Sequence, residues 1–188
     1  AVTVACCVQV YDFVFTPPPL EAEWIDASKM QGAGYSNGPC GRGMLQPSSN
    51  ASGGYALGYL HKSITVDFPF VSDRETAGQL VLGLGTEVGT MAFTPETLKV
   101  YVNDVEIDYG SFEVAENGTG QTTVFQEFVL SPDITVNAGE NKLTFEVLNT
   151  TATEGIGTST AKGPIIDYVR IDGTDAEIGW RPVTANTK

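Results

Sequence analysis

Glu21 and Glu23 stand two residues apart in Leu20-Glu21-Ala22-Glu23-Trp24. A third carboxylate, Asp167, lies in Ile165-Ile166-Asp167-Tyr168-Val169-Arg170-Ile171, near the other end of the chain. In an extended strand, residues i and i+2 share a face. Glu21 and Glu23 therefore repel unless something positive sits between them. A hard cation held by oxygen ligands answers that repulsion, and three carboxylates with loop carbonyls suit calcium. The alternative is a pair of solvated glutamates on an edge strand.

Other chemistry is thinly represented. His61 is the only histidine. As a general base it would need a nucleophile and an orienting acid, and no G-x-S-x-G run is present. One His and three Cys without C-x-x-C spacing serve zinc poorly. Gly83-Leu84-Gly85-Thr86-Glu87-Val88-Gly89 lacks the strand-then-helix setting of a phosphate loop and reads as strand and turn glycines. Paired acids could hydrolyse a glycosidic bond, but the acids here are many and scattered. The chain is read as non-catalytic.

The elements that must position these residues are strands. With 188 residues the chain fits one domain with an ample core. Twenty-one glycines and abundant threonine favour short strands joined by tight turns, and no stretch shows convincing 3.6 periodicity. The formal charge is −13 with only ten Lys and Arg. That argues against nucleic acid and anionic membrane surfaces as partners. No run reaches the roughly 18 apolar residues of a membrane span. The chain opens at Ala1 without a charged leader, which reads as a signal peptide already removed. Three sequons, at Asn50, Asn117 and Asn149, favour a glycosylated, secreted, extracellular protein. Three cysteines leave one odd. Cys6 and Cys7 are adjacent and face opposite ways on a strand, so at most one meets Cys40 in a disulfide. The rival reading is three buried thiols.

Residues 1–16 form one period-2 segment, with Val2, Val4, Val8, Val10 and Val14 on one face. Extended, the stretch from Val2 to Phe15 reaches about 46 Å, at roughly 3.3 Å per residue. Residues 17–19 are a proline triplet, a stiff spacer that cannot continue a ladder. The strand either pairs with its own sheet or completes a neighbour's by donor-strand exchange, which run head to tail makes fibres. Residues 28–53 are a long Gly/Ser/Asn/Pro-rich connection. Residues 173–188 read as a C-terminal tail.

Between the acids runs an ordered series of motifs. Ser52-Gly53-Gly54-Tyr55 is followed by Ile64-Thr65-Val66-Asp67-Phe68. Then come Ala77-Gly78-Gln79-Leu80, Leu98-Lys99-Val100-Tyr101-Val102 and Ala138-Gly139-Glu140-Asn141-Lys142-Leu143, before Ile166-Asp167-Tyr168-Val169. With the opening Glu21-Ala22-Glu23, this order over residues 20–172 resembles the family 6 and family 35 carbohydrate-binding modules. The resemblance implies an all-β jelly-roll sandwich of about nine or ten strands. It also implies a structural calcium on Glu21, Glu23 and Asp167, with a carbonyl from the loop after residue 28. It further implies a loop-end cleft in which aromatic platforms cover sugar C–H faces. The segment that carries a Trp in those families reads Gly120-Gln121-Thr122-Thr123-Val124-Phe125 here, which leaves Tyr35, Tyr55 and Tyr59 as platforms. Two functions follow as expectations. One is an extracellular subunit that forms a homo-polymer through its N-terminal strand. The other is a module that binds polysaccharide for a secreted enzyme or surface protein.

Overall fold

The computed structural model describes residues 20–21, 44–58, 60, 64–86, 89–118, 120–148, 163–181 and 184–187. In chain order the strands are β1 (Leu20–Glu21), β2 (Met44–Pro47), β3 (Tyr55–Gly58), β4 (Ile64–Ser72), β5 (Thr76–Gly85), β6 (Met91–Phe93) and β7 (Leu98–Val102). They continue as β8 (Val105–Glu106), β9 (Phe112–Val114), β10 (Gln126–Val136), β11 (Gly139–Val147), β12 (Ile165–Asp172), β13 (Ile178–Trp180) and β14 (Thr184–Thr187). All pairings are antiparallel. The first sheet runs β10-β5-β12-β3-β2, with β1 sharing the edge of β12 with β3. The second runs β13-β4-β11-β7-β8, with β14 sharing the edge of β4 with β13. A small ribbon joins β6 and β9.

The alternation in the sequence decides which face each strand buries. In β11, Leu143, Phe145 and Val147 point inward while Lys142, Thr144 and Glu146 do not; β7 repeats this with Leu98, Val100 and Val102. Leu80, Leu82, Leu84, Val169 and Ile171 of the first sheet meet Val66, Phe68, Phe70, Val100 and Phe145 of the second in one core. Phe68 and Phe145 pack edge to face at 5.4 Å, a geometry the ring quadrupoles favour. The fold is thus the all-β sandwich the sequence predicts. More strands are present than the nine or ten expected, because several are pieces of two to four residues.

Turn chemistry sets the registers. Asn103 and Asp104 both adopt positive φ, 51° and 65°, between β7 and β8, as a two-residue hairpin loop of the mirror-image type requires. Asn103 also donates to Asn141 Oδ1 at 2.8 Å, and that oxygen accepts Asn137 N–H at 2.8 Å. One buried amide therefore ties the β7–β8 and β10–β11 turns together. Pro132 interrupts β10, where the pairing with β5 shifts between Val129 and Ser131 and again between Ser131 and Ile134. Proline has no N–H for the ladder, so the strand bulges there.

The C-terminal residues, read from the sequence as a tail, add two short strands. Ile178–Trp180 pair with Phe70–Ser72, and Thr184–Thr187 pair with Ile64–Asp67, so both short strands close the edge of β4. Ala176 and Ile178 are buried, and Trp180 packs on Phe70 at 5.0 Å. Glu177 N–H donates to Asp73 Oδ1, and Arg74 bridges Asp73 and Asp175. The physical reason is a strand edge that would otherwise stand open. Truncation after Gly173 should therefore lower unfolding free energy by more than the about 1.5–3 kcal/mol of one buried isoleucine, as read from urea melts. A truncated protein that melts like the full chain would return this segment to linker status.

Candidate functional site

Asp167 sits within β12. Along β12 the pairing with β5 runs Ile166 to Leu84 and then Tyr168 to Gly83, which leaves Asp167 as an extra residue. That bulge lets Ile165, Ile166 and Asp167 be buried in succession, where a regular strand would alternate. Asp167 is 2% exposed. Its Oδ1 accepts Ser52 N–H and Ser52 Oγ–H, both at 3.1 Å, and Oδ2 accepts the same N–H at 3.2 Å. Charge-assisted bonds of this kind offset part of the cost of burying a carboxylate.

Glu21 enters through the backbone of β1, where it pairs with Tyr168, the residue after Asp167. Two of the predicted ligands thus come from adjacent strands at neighbouring register positions. Glu23 lies outside the described residues. Among the described residues no three His, Cys, Asp or Glu side chains form a metal-binding group. Tyr35, Tyr59, Asn149, the three cysteines Cys6, Cys7 and Cys40, and the valines Val2, Val4, Val8, Val10 and Val14 also lie outside the described residues.

The turn that caps Asp167 also builds the loop end. Ser48 N–H donates to Gly54 O and Gly54 N–H to Ala51 O, closing residues 48–54 into a compact turn. Ser49 N–H and Ser49 Oγ–H both reach Gln121 O, at 2.8 and 3.0 Å. Asn50 Nδ2 donates to Thr122 O at 2.9 Å and to Thr123 O at 3.3 Å. These contacts hold the 3-10 turn Gly120–Thr122 against the Ser-rich turn. From the other side, a Cβ on Gly85 would lie 2.6 Å from Thr123 Cγ2 and 3.2 Å from the Phe125 ring. Only glycine lets this loop lie so close on β5. Gly163 is confined in the same way, since its Cβ would come within 2.4 Å of Leu60 O. Tyr55 and Val124 are 42% and 36% exposed here. Of the three predicted platforms, Tyr55 is the one described, and it is accessible.

Sequence reasoning missed two polar faces. On the outer side of the first sheet, Arg170 holds Asp172 through two bonds of 2.6 and 2.9 Å and reaches Glu127 at 3.1 Å. Tyr168 O–H donates to the same Glu127 at 2.6 Å, and its ring lies over Gly83. Burial, and then the bond to Glu127, push the Tyr168 phenol up to about 12. The signal was present as alternation: Tyr168, Arg170 and Asp172 share one face. On the second sheet a groove of about 320 Å³ is lined by Asp67, Tyr101, Lys142, Thr144 and Glu146, among others. Thr144 O–H donates to Asp67 at 2.6 Å and Tyr101 O–H to Glu146 at 3.1 Å.

No protein-family profile and no curated protein matches the chain. Solved structures do. A family 35 carbohydrate-binding module from Clostridium thermocellum aligns with 83% of this chain and 98% of its own, with a TM-score of 0.52 and 18% identity. The chain has the fold of a family 35 carbohydrate-binding module. The β-(1,4)-mannanase of Podospora anserina, which carries such a module, aligns with 85% of this chain at a TM-score of 0.53 and 12% identity. An exo-β-1,3-galactanase from Phanerochaete chrysosporium, solved with β-1,3-galactotriose, aligns with 84% at a TM-score of 0.50 and 18% identity. The chain spans only 28% and 29% of those two enzymes. At such identities the family 35 likeness fixes the fold, and the chemistry has to be read from this chain's own residues.

Proposed function

We propose that the chain is a non-catalytic carbohydrate-binding module of a secreted, glycan-active or surface protein. The observation that carries this reading is the match to a free-standing family 35 module over 98% of that module's length. The braced loop end supports it, because Tyr55 is an exposed aromatic that follows directly on the Ser48–Gly54 turn. Such a site takes an uncharged or weakly charged polysaccharide, since a sugar needs an apolar ring face and a few fixed polar groups. In affinity electrophoresis against plant, algal and microbial polysaccharides, at least one should retard the protein. Tyr55→Ala should weaken that retardation about tenfold or more, or ~1.4 kcal/mol. Retardation by no polysaccharide would remove the function from the fold.

The reading includes a structural calcium held by Glu21, Glu23 and Asp167. The residues present fit such an ion in two respects. The donor set is all oxygen, as a hard cation requires. Asp167 is a nearly fully buried carboxylate, and Ser48 Oγ in the capping turn is a buried hydroxyl with no hydrogen-bond partner among the described residues. The ion would supply the positive charge that these acids call for. Calcium bound to the native state alone stabilises by mass action, about 2.7 kcal/mol at a hundredfold excess over Kd. Chelation should lower Tm, and Glu23→Ala should abolish the difference. A melting curve indifferent to prolonged chelation would exclude the ion.

A second reading, a homo-polymer joined through residues 1–16, rests on the valine alternation and on one structural observation. β10 ends the first sheet with eleven residues, and no described strand pairs with its outer edge. An added strand could continue the ladder there. The full chain should then form concentration-dependent polymers that Val8→Asp abolishes. A monomer at high concentration, with residues 2–15 protected from hydrogen exchange, would leave the module reading alone.

A further inference from the structure

Asn50 carries two assignments that exclude each other. It heads the sequon Asn50-Ala51-Ser52 and is exposed, which marks it for a glycan. Yet its amide nitrogen donates to the carbonyls of Thr122 and Thr123. A primary amide offers two N–H groups, and both are committed. N-glycosylation replaces one of those hydrogens with a sugar carbon and adds a bulky group to the same nitrogen. That nitrogen cannot also lie within hydrogen-bond distance of two backbone carbonyls. The third residue of the sequon is engaged as well, through Ser52 Oγ–H to Asp167.

Asn117 contrasts with it. It is exposed and begins a turn closed by Val124 N–H to Asn117 O at 2.7 Å, with Gly118 at φ 78°. Among the described residues its side chain makes no hydrogen bond. Exposure alone does not separate the two asparagines; the partners of the amide do.

We propose that Asn50 is a positioning residue of the loop end rather than a glycan acceptor, and that Asn117 is the described sequon that takes a glycan in the folded protein. Asn50 acts through its two carbonyl partners to fix the segment 120–125, which carries the exposed Val124. With Ser49 it supplies four hydrogen bonds onto three successive carbonyls. The connection from β9 to β10 has little regular structure of its own, so it belongs to the low-stability part of the molecule unless tied down. The role in sugar binding rests on the proposed function; the clamp itself does not.

Two measurements on the full chain test this. Glycopeptide mapping of protein secreted from yeast should find glycan on Asn117 and none on Asn50. Folded, secreted protein with Asn50 occupied overturns the assignment. In protein from a non-glycosylating bacterial host, Asn50→Asp keeps the side chain's size, removes both donors and sets a carboxylate against two carbonyl oxygens. Hydrogen exchange over residues 120–125 should then run about tenfold faster or more, as expected for losing one or two net hydrogen bonds. Asn50→Gln, which keeps the donors, should recover part of the protection. Unchanged exchange in Asn50→Asp overturns the clamp. Neither measurement contains a polysaccharide, so failure of the sugar-binding reading leaves both results standing. Where a retarding polysaccharide is in hand, Asn50→Asp should weaken retardation at a temperature where the variant remains folded.

Discussion

A carboxylate buried in the first sheet has to be answered, and the groups that answer Asp167 organise one end of the molecule. A regular β12 would alternate its side chains between core and outer face. The bulge after Ile166 breaks that alternation and buries the acid. Burying an unanswered charge costs several kcal/mol, so the Ser52 turn is drawn onto it. The same turn then grips Gln121, Thr122 and Thr123. A strand defect, a capping turn and a distant loop thus form one connected structure. It is held by bonds between residues more than seventy apart in sequence.

Close approach completes that end. Gly83 admits the Tyr168 ring on one side of β5, and Gly85 admits Thr123 and Phe125. A side chain at either glycine would hold off the layer it touches by the width of a methyl group. Overpacking of that kind typically costs about 1–3 kcal/mol. The central strand is accordingly smooth where the loop and the aromatic ring must lie on it. Leu80, Leu82 and Leu84 fill the core on its other face.

Much of the fold was legible because period-2 alternation is imposed by the same burial that builds the sandwich. Leu143, Phe145 and Val147 show it plainly, as do Leu98, Val100 and Val102. The segments from Ile178 and Thr184 were not legible as strands. They are short, and their pairing with β4 depends on an edge more than a hundred residues earlier. In the candidate site, Asp167 and Tyr55 could be named from motif order and residue type. The clamp could not, because Asn50 reads identically as a sequon and as a donor until its partners are known. The Arg170 network sat in plain alternation and was overlooked, since the apolar residues between its members dominate the segment.

The geometry of the loop end separates a backbone frame from the exposed side chains it carries. Every bond from Ser49 and Asn50 ends on a backbone carbonyl, so the side chains at 121–123 carry none of the clamp's load. The exposed Gln121 side chain can therefore change without releasing the loop, whereas Thr123 is buried against Gly85. The frame residues cannot change so freely: Ser52 answers a buried charge, Asn50 supplies two donors, and Gly85 sets an approach distance. Surface pairs such as Lys99 with Glu106 and Lys142 with Asp104 add little by comparison, since exposed ion pairs contribute about 0–1 kcal/mol. The exposed positions can therefore drift while the sandwich and its clamp stay fixed. This gives a physical route by which one fold can be kept at identities as low as those between this chain and the modules it resembles.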